Sequence, residues 1–370
     1  MTGWRWLVGT ALVLAVGITT WATPGAISLL GTWSGAETAA SGPAPAHPWR
    51  PGRPELGVQV YWVDDPADTP ELIRRKAERI FDHVIGMEAN AASISFPFYS
   101  ESITASTVLT DRRTPTPDRL AVVVDEARRS GLRVAVRPLL DEANLLQHDA
   151  RDWRGGLQPV DRNAWYASYQ DFLGPYLTMA QQHRVDTFMI AAELNSLQGD
   201  PHWAPMIAQA RTLYHGEIGY AANWDAYPQA KAGVPADGVG IDAYPRLGLA
   251  AGASAAQMHD AWRAWLDATA PGQDVVLYEV GAAAEPRMMD NPAIPNTPGA
   301  ALDKTVQRRW FAAACSAARE RGLRGLYWWK LELDDDPAAA DPVDDLHDSF
   351  LGRPAEEAIR QCFSAWAGTP

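Results

Sequence analysis

A chain of 370 residues with 47% hydrophobic content is long enough for one large α/β barrel or two smaller domains, with a sizeable buried core. A formal net charge of −13 leaves no basic excess to neutralise phosphates and argues against a nucleic-acid partner. Sixteen tryptophans are unusually many; flat aromatic faces suit sugar rings, and the excess tilts toward a saccharide ligand.

The N-terminus reads as a leader. Arg5 supplies one positive charge, and residues 6–33 then run without a charged side chain, long enough to cross a bilayer. A cleaved signal peptide and a retained membrane anchor both fit residues 1–33, and either places the rest of the chain outside the cytoplasm, secreted or tethered, with Arg5 kept inside. Residues 34–54 are proline-rich and read as a semi-rigid linker. The folded domain is expected over 55–370.

Within it, apolar runs at 57–62, 92–96, 133–138, 187–192, 217–222, 238–243, 275–278 and 325–329 read as buried strands. Amphipathic stretches at 70–85, 117–130, 164–183, 203–214, 255–267 and 304–321 read as helices between them. The second of these has Asp118 in its first turn, Arg128 and Arg129 in its last, and Gly131 just beyond, which are start and stop signals. Alternating strands and helices imply parallel pairing with right-handed crossovers, and eight such units predict a (β/α)8 barrel as a single catalytic domain. No Gly-x-Gly-x-x-Gly follows the first strand, which weakens a dinucleotide-binding alternative.

Polar and aromatic groups gather where the strands end. They are Tyr61, Trp62 and Asp64 on the first, Arg137 on the third, Glu193 and Asn195 on the fourth, and Asn223, Trp224 and Asp225 on the fifth. Asp242 and Tyr244 follow on the sixth, Glu279 on the seventh, and Trp329, Lys330 and Glu332 on the eighth. In a parallel barrel that rim carries the catalytic groups. Alternation along Tyr327-Trp328-Trp329 puts at least one ring outside the lumen. Two carboxylates facing each other across the rim are the minimal equipment for cleaving a glycosidic bond, one ionised to attack and the other holding a proton. The histidines show no metal-binding spacing, and no Gly-x-Ser-x-Gly elbow appears, so neither a catalytic metal nor a cofactor is expected. An acidic stretch at 334–345 reads as a solvated loop. Cys315 and Cys362 lie on helix-like segments, where a disulfide and two buried thiols are both compatible with the sequence.

Taken in order, Asp152-Trp-Arg-Gly-Gly156, Trp165-Tyr-Ala-Ser-Tyr169, Ala191-Ala-Glu-Leu194, Tyr220-Ala-Ala-Asn-Trp-Asp225, Gly240-Ile-Asp-Ala-Tyr244, Tyr278-Glu-Val-Gly281 and Gly325-Leu-Tyr-Trp-Trp329 resemble glycoside hydrolase family 113 of clan A. The resemblance covers about residues 56–335. It implies retaining hydrolysis of β-mannosidic bonds, typically in β-1,4-mannan, with Glu193 as acid/base and Glu279 as nucleophile. It also implies that Tyr244 hydrogen-bonds the nucleophile and that Trp329 floors the subsite of the sugar under attack. Asn223 and Trp224 match a motif at the cleft. Tyr61, Trp62, Arg137 and Asn195 complete the expected substrate-binding set. Two positions depart from the family pattern. Ala192 stands where clan A enzymes often carry an asparagine that contacts the sugar 2-hydroxyl, and Ala282 stands where a tyrosine is usual. Both departures bear on the sugar more than on the reaction. The expected partner is a polysaccharide or oligosaccharide, handled by a monomer. The rival reading is a tethered envelope protein that binds or transglycosylates a polysaccharide with little hydrolysis.

Overall fold

Eight apolar runs become eight parallel strands that close on themselves in chain order. The computed structural model describes residues 42–368 except 251, 295, 296, 298 and 340–347. The expected leader and the first part of the linker therefore lie outside the described residues, as do Asp341, Asp344 and Asp345 of the acidic stretch. Among the described residues, no helix is long and apolar enough to cross a membrane.

The order is β1 (Glu55–Tyr61), α1 (Pro70–Gly86), β2 (Ala91–Phe98), α2 (Pro117–Arg129), β3 (Arg133–Leu140), the single-turn α3 (Leu145–His148), α4 (Arg162–Gln182), β4 (Thr187–Ala192) and α5 (Trp203–Leu213). It continues with β5 (Glu217–Asn223), α6 (Tyr227–Gly233), β6 (Gly238–Ala243), α7 (Ala255–Thr269), β7 (Val276–Val280), α8 (Lys304–Arg321), β8 (Gly325–Glu332) and α9 (Pro354–Ala367). Each strand pairs with its sequence neighbours, and β1 closes the ring on β8. The fold is a (β/α)8 barrel.

The helices begin where their chemistry directs. Thr69 accepts from the Leu72 amide ahead of Pro70, Asp161 accepts from Ala164, and Ser254 with Gln257 forms a reciprocal cap on α7. Gly131 ends α2 with φ 79°, the left-handed conformation glycine adopts at little cost. The helix faces bury Trp165, Trp203, Trp262 and Trp310 against the outside of the strands, so many of the sixteen tryptophans serve the core. α6 is short, bounded by Pro228 and Gly233, and its periodicity is too brief to announce it.

The N-terminal mouth of the barrel is shut by charge. Glu55 accepts an ion pair from Arg133 at 3.2 Å and another from Arg324 at 3.3 Å. Glu217 pairs with the same two arginines at 2.9 and 2.7 Å. The Tyr327 hydroxyl donates to Glu55 at 3.0 Å. Residues 42–54 carry no helix or strand, as their proline content predicts, yet they are packed rather than free: the Trp49 indole lies 4.0 Å from the Arg133 guanidinium. With polar closure at this end, the open end is left for chemistry.

Cys315 of α8 and Cys362 of α9 form a disulfide across 47 residues of chain. Cross-linking a loop of that length restricts the unfolded chain, with a contribution of about 2–4 kcal/mol. A Cys315→Ser/Cys362→Ser variant is therefore expected to unfold at lower urea with unchanged kcat/KM, because the bridge lies on the outer helices. An unmoved urea midpoint would refute this.

Candidate active site

The C-terminal mouth holds a cleft of about 750 Å³. Glu142, Trp153, Arg154, Glu193, Asn223, Trp224, Tyr244, Glu279, Trp329 and Lys330 are among the residues that line it.

Three strands reach this cleft by breaking their own alternation. In β4, the step from Met189 to Ala191 spans two residues while β5 advances one, from Gly219 to Tyr220. In β7, Leu277 to Glu279 answers Ile241 to Asp242. In β8, Trp328 to Leu331 answers Val58 to Val60. Each mismatch is a bulge, which re-aims the side chains that follow it. On β7 the bulge lets Tyr278 join the inner core while Glu279, the next residue, still faces the cleft. On β8 it lets both Trp329 and Lys330 line the cleft, with Trp328 packed outside.

Glu193 leaves β4 with φ 55°, a conformation that costs a non-glycine residue about 1–2 kcal/mol. The strain is held by two backbone bonds: its amide donates to Ala221 at 2.8 Å, and its carbonyl accepts from Asn195 at 2.9 Å. Its Oε2 lies 3.1 Å from Arg154 Nη1, and Arg154 Nε lies 3.1 Å from Glu142. Burial pushes the Glu193 carboxyl up, Arg154 pulls it down, and the Glu279 charge raises it again, leaving it at about 7. A carboxyl at that value holds a proton at neutral pH and can also give it up.

Glu279 is held differently. Arg137 Nη1 lies 2.5 Å from its Oε1, and the Tyr244 hydroxyl donates to its Oε2 at 2.7 Å. Burial and the Glu279 charge keep the Tyr244 hydroxyl well above the usual tyrosine range, so it stays a donor. Gly281 makes the approach feasible, because a Cβ there would stand 3.2 Å from the Tyr244 ring. Arg137 is fully buried and its Nη2 reaches Asp242 at 2.7 Å, so one guanidinium serves two carboxylates beneath the cleft. Lys330 lies 5.9 Å from the Trp329 ring and pairs with Glu332.

The predicted residues sort clearly by position. Glu193, Glu279, Asn223, Trp224, Tyr244 and Trp329 come together in one cleft. Tyr61 stands beside it, its ring 6.0 Å from Trp329 and its hydroxyl donating to Asp141 at 2.8 Å. Three expectations of a cleft position are corrected. Trp62 follows an inward Tyr61 and so points outward, buried in the outer core. Arg137 lies under Glu279 and does not line the cleft. Asn195 sits in the 3₁₀ turn Asn195–Leu197 and accepts from Gln198 at 3.3 Å, away from the lining. Arg154, Glu142 and Trp153 went unassigned in the sequence. The only trace of Arg154 and Trp153 was the motif Asp152-Trp-Arg-Gly-Gly156.

A (β/α)8 barrel with two carboxylates in unequal surroundings at the ends of β4 and β7 defines the glycoside hydrolase class. The chain belongs to Glycoside Hydrolase Family 113, whose profile matches residues 68–348. Solved structures agree on the fold. A GH113 beta-1,4-mannanase complex is similar with a TM-score of 0.71 at 15% identity, covering 85% of this chain and 99% of that one. The GH113 beta-mannanase AaManA from Alicyclobacillus acidocaldarius, in complex with ManMIm, gives 0.66 at 19% identity over 85% and 98%. A beta-glucuronidase from Faecalibacterium prausnitzii gives 0.54 at 15% identity, covering 86% of this chain and 49% of that one. No curated protein matches the sequence.

Proposed function

We propose that this protein is a retaining β-glycoside hydrolase acting on a β-1,4-linked, mannan-like polysaccharide. The observation that carries the reading is the unequal treatment of two carboxylates in one cleft. Glu279 is pinned by Arg137 and Tyr244, while Glu193 is desolvated and pushed up to about 7. In the first step a Glu279 oxygen attacks the anomeric carbon, the bond to the leaving oxygen breaks, and the Glu193 proton passes to that oxygen. A glycosyl ester on Glu279 results, and the negative charge of Glu279 is gone. That charge was one of the influences raising Glu193, so the Glu193 carboxylate is now better stabilised beside Arg154. In the second step Glu193 takes a proton from water, the water oxygen attacks the anomeric carbon, and Glu279 is released. Trp329 offers an aromatic face to the ring under attack. The mannan preference is supported by the family and by what the similar structures are named for. The disulfide and the uncharged run at residues 6–33 support work outside the cytoplasm.

Release of reducing ends from mannan, glucomannan, cellulose and xylan tests the reading, with a Glu279 variant as control. No release from any of the four would overturn it, and sugar transfer without release would convert it to a transglycosylase.

The pH profile supplies a second test. Glu193 must be protonated for the first step, so kcat/KM is expected to fall as pH rises through about 7. Arg154→Gln removes the cation that lowers Glu193 and moves that basic limb to higher pH, whereas Arg154→Lys leaves it near the wild-type position. A limb that stays put in Arg154→Gln, or moves down, would contradict the assignment of Glu193 as the acid.

A further inference from the structure

Trp153 is a tryptophan that the core does not use. It is half-buried and lines the cleft, yet among the described residues it packs neither on the hydrophobic core nor against another ring. Trp224, which lines the same cleft, does pack on the core. Trp153 is nevertheless held in place. A Cβ on Gly155 would stand 2.3 Å from Trp153 Cη2 and Cζ2, so the six-membered part of the indole is seated against the space a side chain there would fill. The Gly156 amide donates to the Trp153 carbonyl at 2.9 Å. The same segment is tied to the proton donor twice. Arg154 reaches Glu193 at 3.1 Å, and Ser196, three residues beyond Glu193, donates its hydroxyl to the Leu157 carbonyl.

An aromatic face that is rigid, half-exposed and fastened to one catalytic group is a preorganised binding surface. Its position says which sugar it meets. Glu193 touches the bridging oxygen, so the wall on its side receives the unit that departs. Glu279, held by the Tyr244 hydroxyl, bonds to the unit that is retained, and Trp329 lines the same cleft. We propose that Trp153, seated on Gly155, is the platform on which the leaving-group sugar stacks. The assignment rests on the roles given above to Glu193 and Glu279. Gly155 is the positioning residue, because any side chain there displaces the indole.

The test separates sugar binding from turnover. In a Glu279→Gln background, calorimetry with β-1,4-mannohexaose is expected to show binding weakened about tenfold by Trp153→Ala. With Glu279 restored, Trp153→Ala and Gly155→Ala are each expected to lose about tenfold in kcat/KM on mannohexaose. The loss is expected to be several-fold smaller on 2,4-dinitrophenyl β-mannoside, which carries no leaving-group sugar. Trp153→Phe keeps an aromatic face and recovers part of the loss. Unchanged hexaose binding, or equal losses on both substrates, would overturn the platform. If the wild type binds hexaose but turns over neither substrate, the hydrolase reading fails, and the calorimetric arm still decides whether Trp153 holds a sugar.

Discussion

Glu279→Gln is expected to lower kcat on mannan by at least about 10⁴-fold while the barrel keeps its melting temperature or gains slightly. The two halves of that expectation have one cause. Glu279 and Asp242 share the guanidinium of Arg137, so two carboxyl groups are buried against one positive charge, and burial together with the Glu279 charge holds the Asp242 carboxyl well above the usual carboxylate range. Burying a carboxylate is expensive even when paired, and among the described residues Tyr244 is the further hydrogen-bond donor to Glu279. Glutamine keeps the volume and an oxygen for the Tyr244 hydroxyl, and it leaves Arg137 and Asp242 as a neutral pair. Stability is therefore unharmed, but an amide cannot attack the anomeric carbon, and no ester forms. A third readout follows from the same charge. Glu279 raises Glu193, so Glu193 in the variant is expected to titrate below its wild-type value of about 7, which carboxyl NMR would register. Appreciable turnover in the variant would remove Glu279 from the nucleophile's role, and a collapsed melting temperature would show that Glu279 holds the barrel together. The conserved-volume substitution is the informative one: Glu279→Ala would leave a hole beside a buried guanidinium and confound the two.

Much of the frame was readable from residue order, for physical reasons. Strands buried on both faces appear as continuous apolar runs, and 187–192 and 238–243 match β4 and β6. The ends of α2 were marked by Asp118 and Gly131. Glu193 and Glu279 stood out because a carboxylate ending an apolar strand needs a reason. What could not be read is which side chains face the lumen near the rim. Strict alternation assigns faces only while register holds, and β4, β7 and β8 each slip by one residue where the chemistry begins. Asn195 lies just past β4 in a 3₁₀ turn, to which alternation does not extend, whereas Trp62 obeys the regular alternation of β1 and faces outward. Arg137 illustrates a different limit, since an arginine at a strand end reads alike whether it meets substrate or lies beneath a carboxylate. Arg154 and Glu142 are carried by the loops after β3, whose paths are set by contacts such as Ser196 with Leu157 and by no periodicity in the chain.

Removing the proposed proton donor should separate the two chemical steps. Glu193→Ala is expected to lose about 10³-fold on mannan, where the leaving sugar needs protonation, and far less in the first step on 2,4-dinitrophenyl β-mannoside, whose leaving group departs as a stable anion. The second step should then become limiting, because no base remains to activate water, and a burst of dinitrophenolate should precede a slow steady state. The structure also explains why a small anion should relieve this. Alanine vacates the space beside Arg154 and leaves that guanidinium, among the described residues, with Glu142 as its remaining ion-pair partner. Azide is small, already nucleophilic and drawn to the cation, so it can attack the glycosyl ester without a base. It is expected to restore the steady-state rate and to leave a β-configured glycosyl azide, since two inversions at the anomeric carbon retain its configuration. An α-configured product would mean a single displacement and would replace the retaining mechanism with an inverting one. A rate indifferent to azide, with mannan hydrolysis undiminished, would take Glu193 out of the reaction altogether. In the Glu193→Ala/Arg154→Gln double variant the space survives but the cation is lost, so rescue should require more azide, and the shift in half-maximal concentration measures what Arg154 contributes to holding an anion at this position.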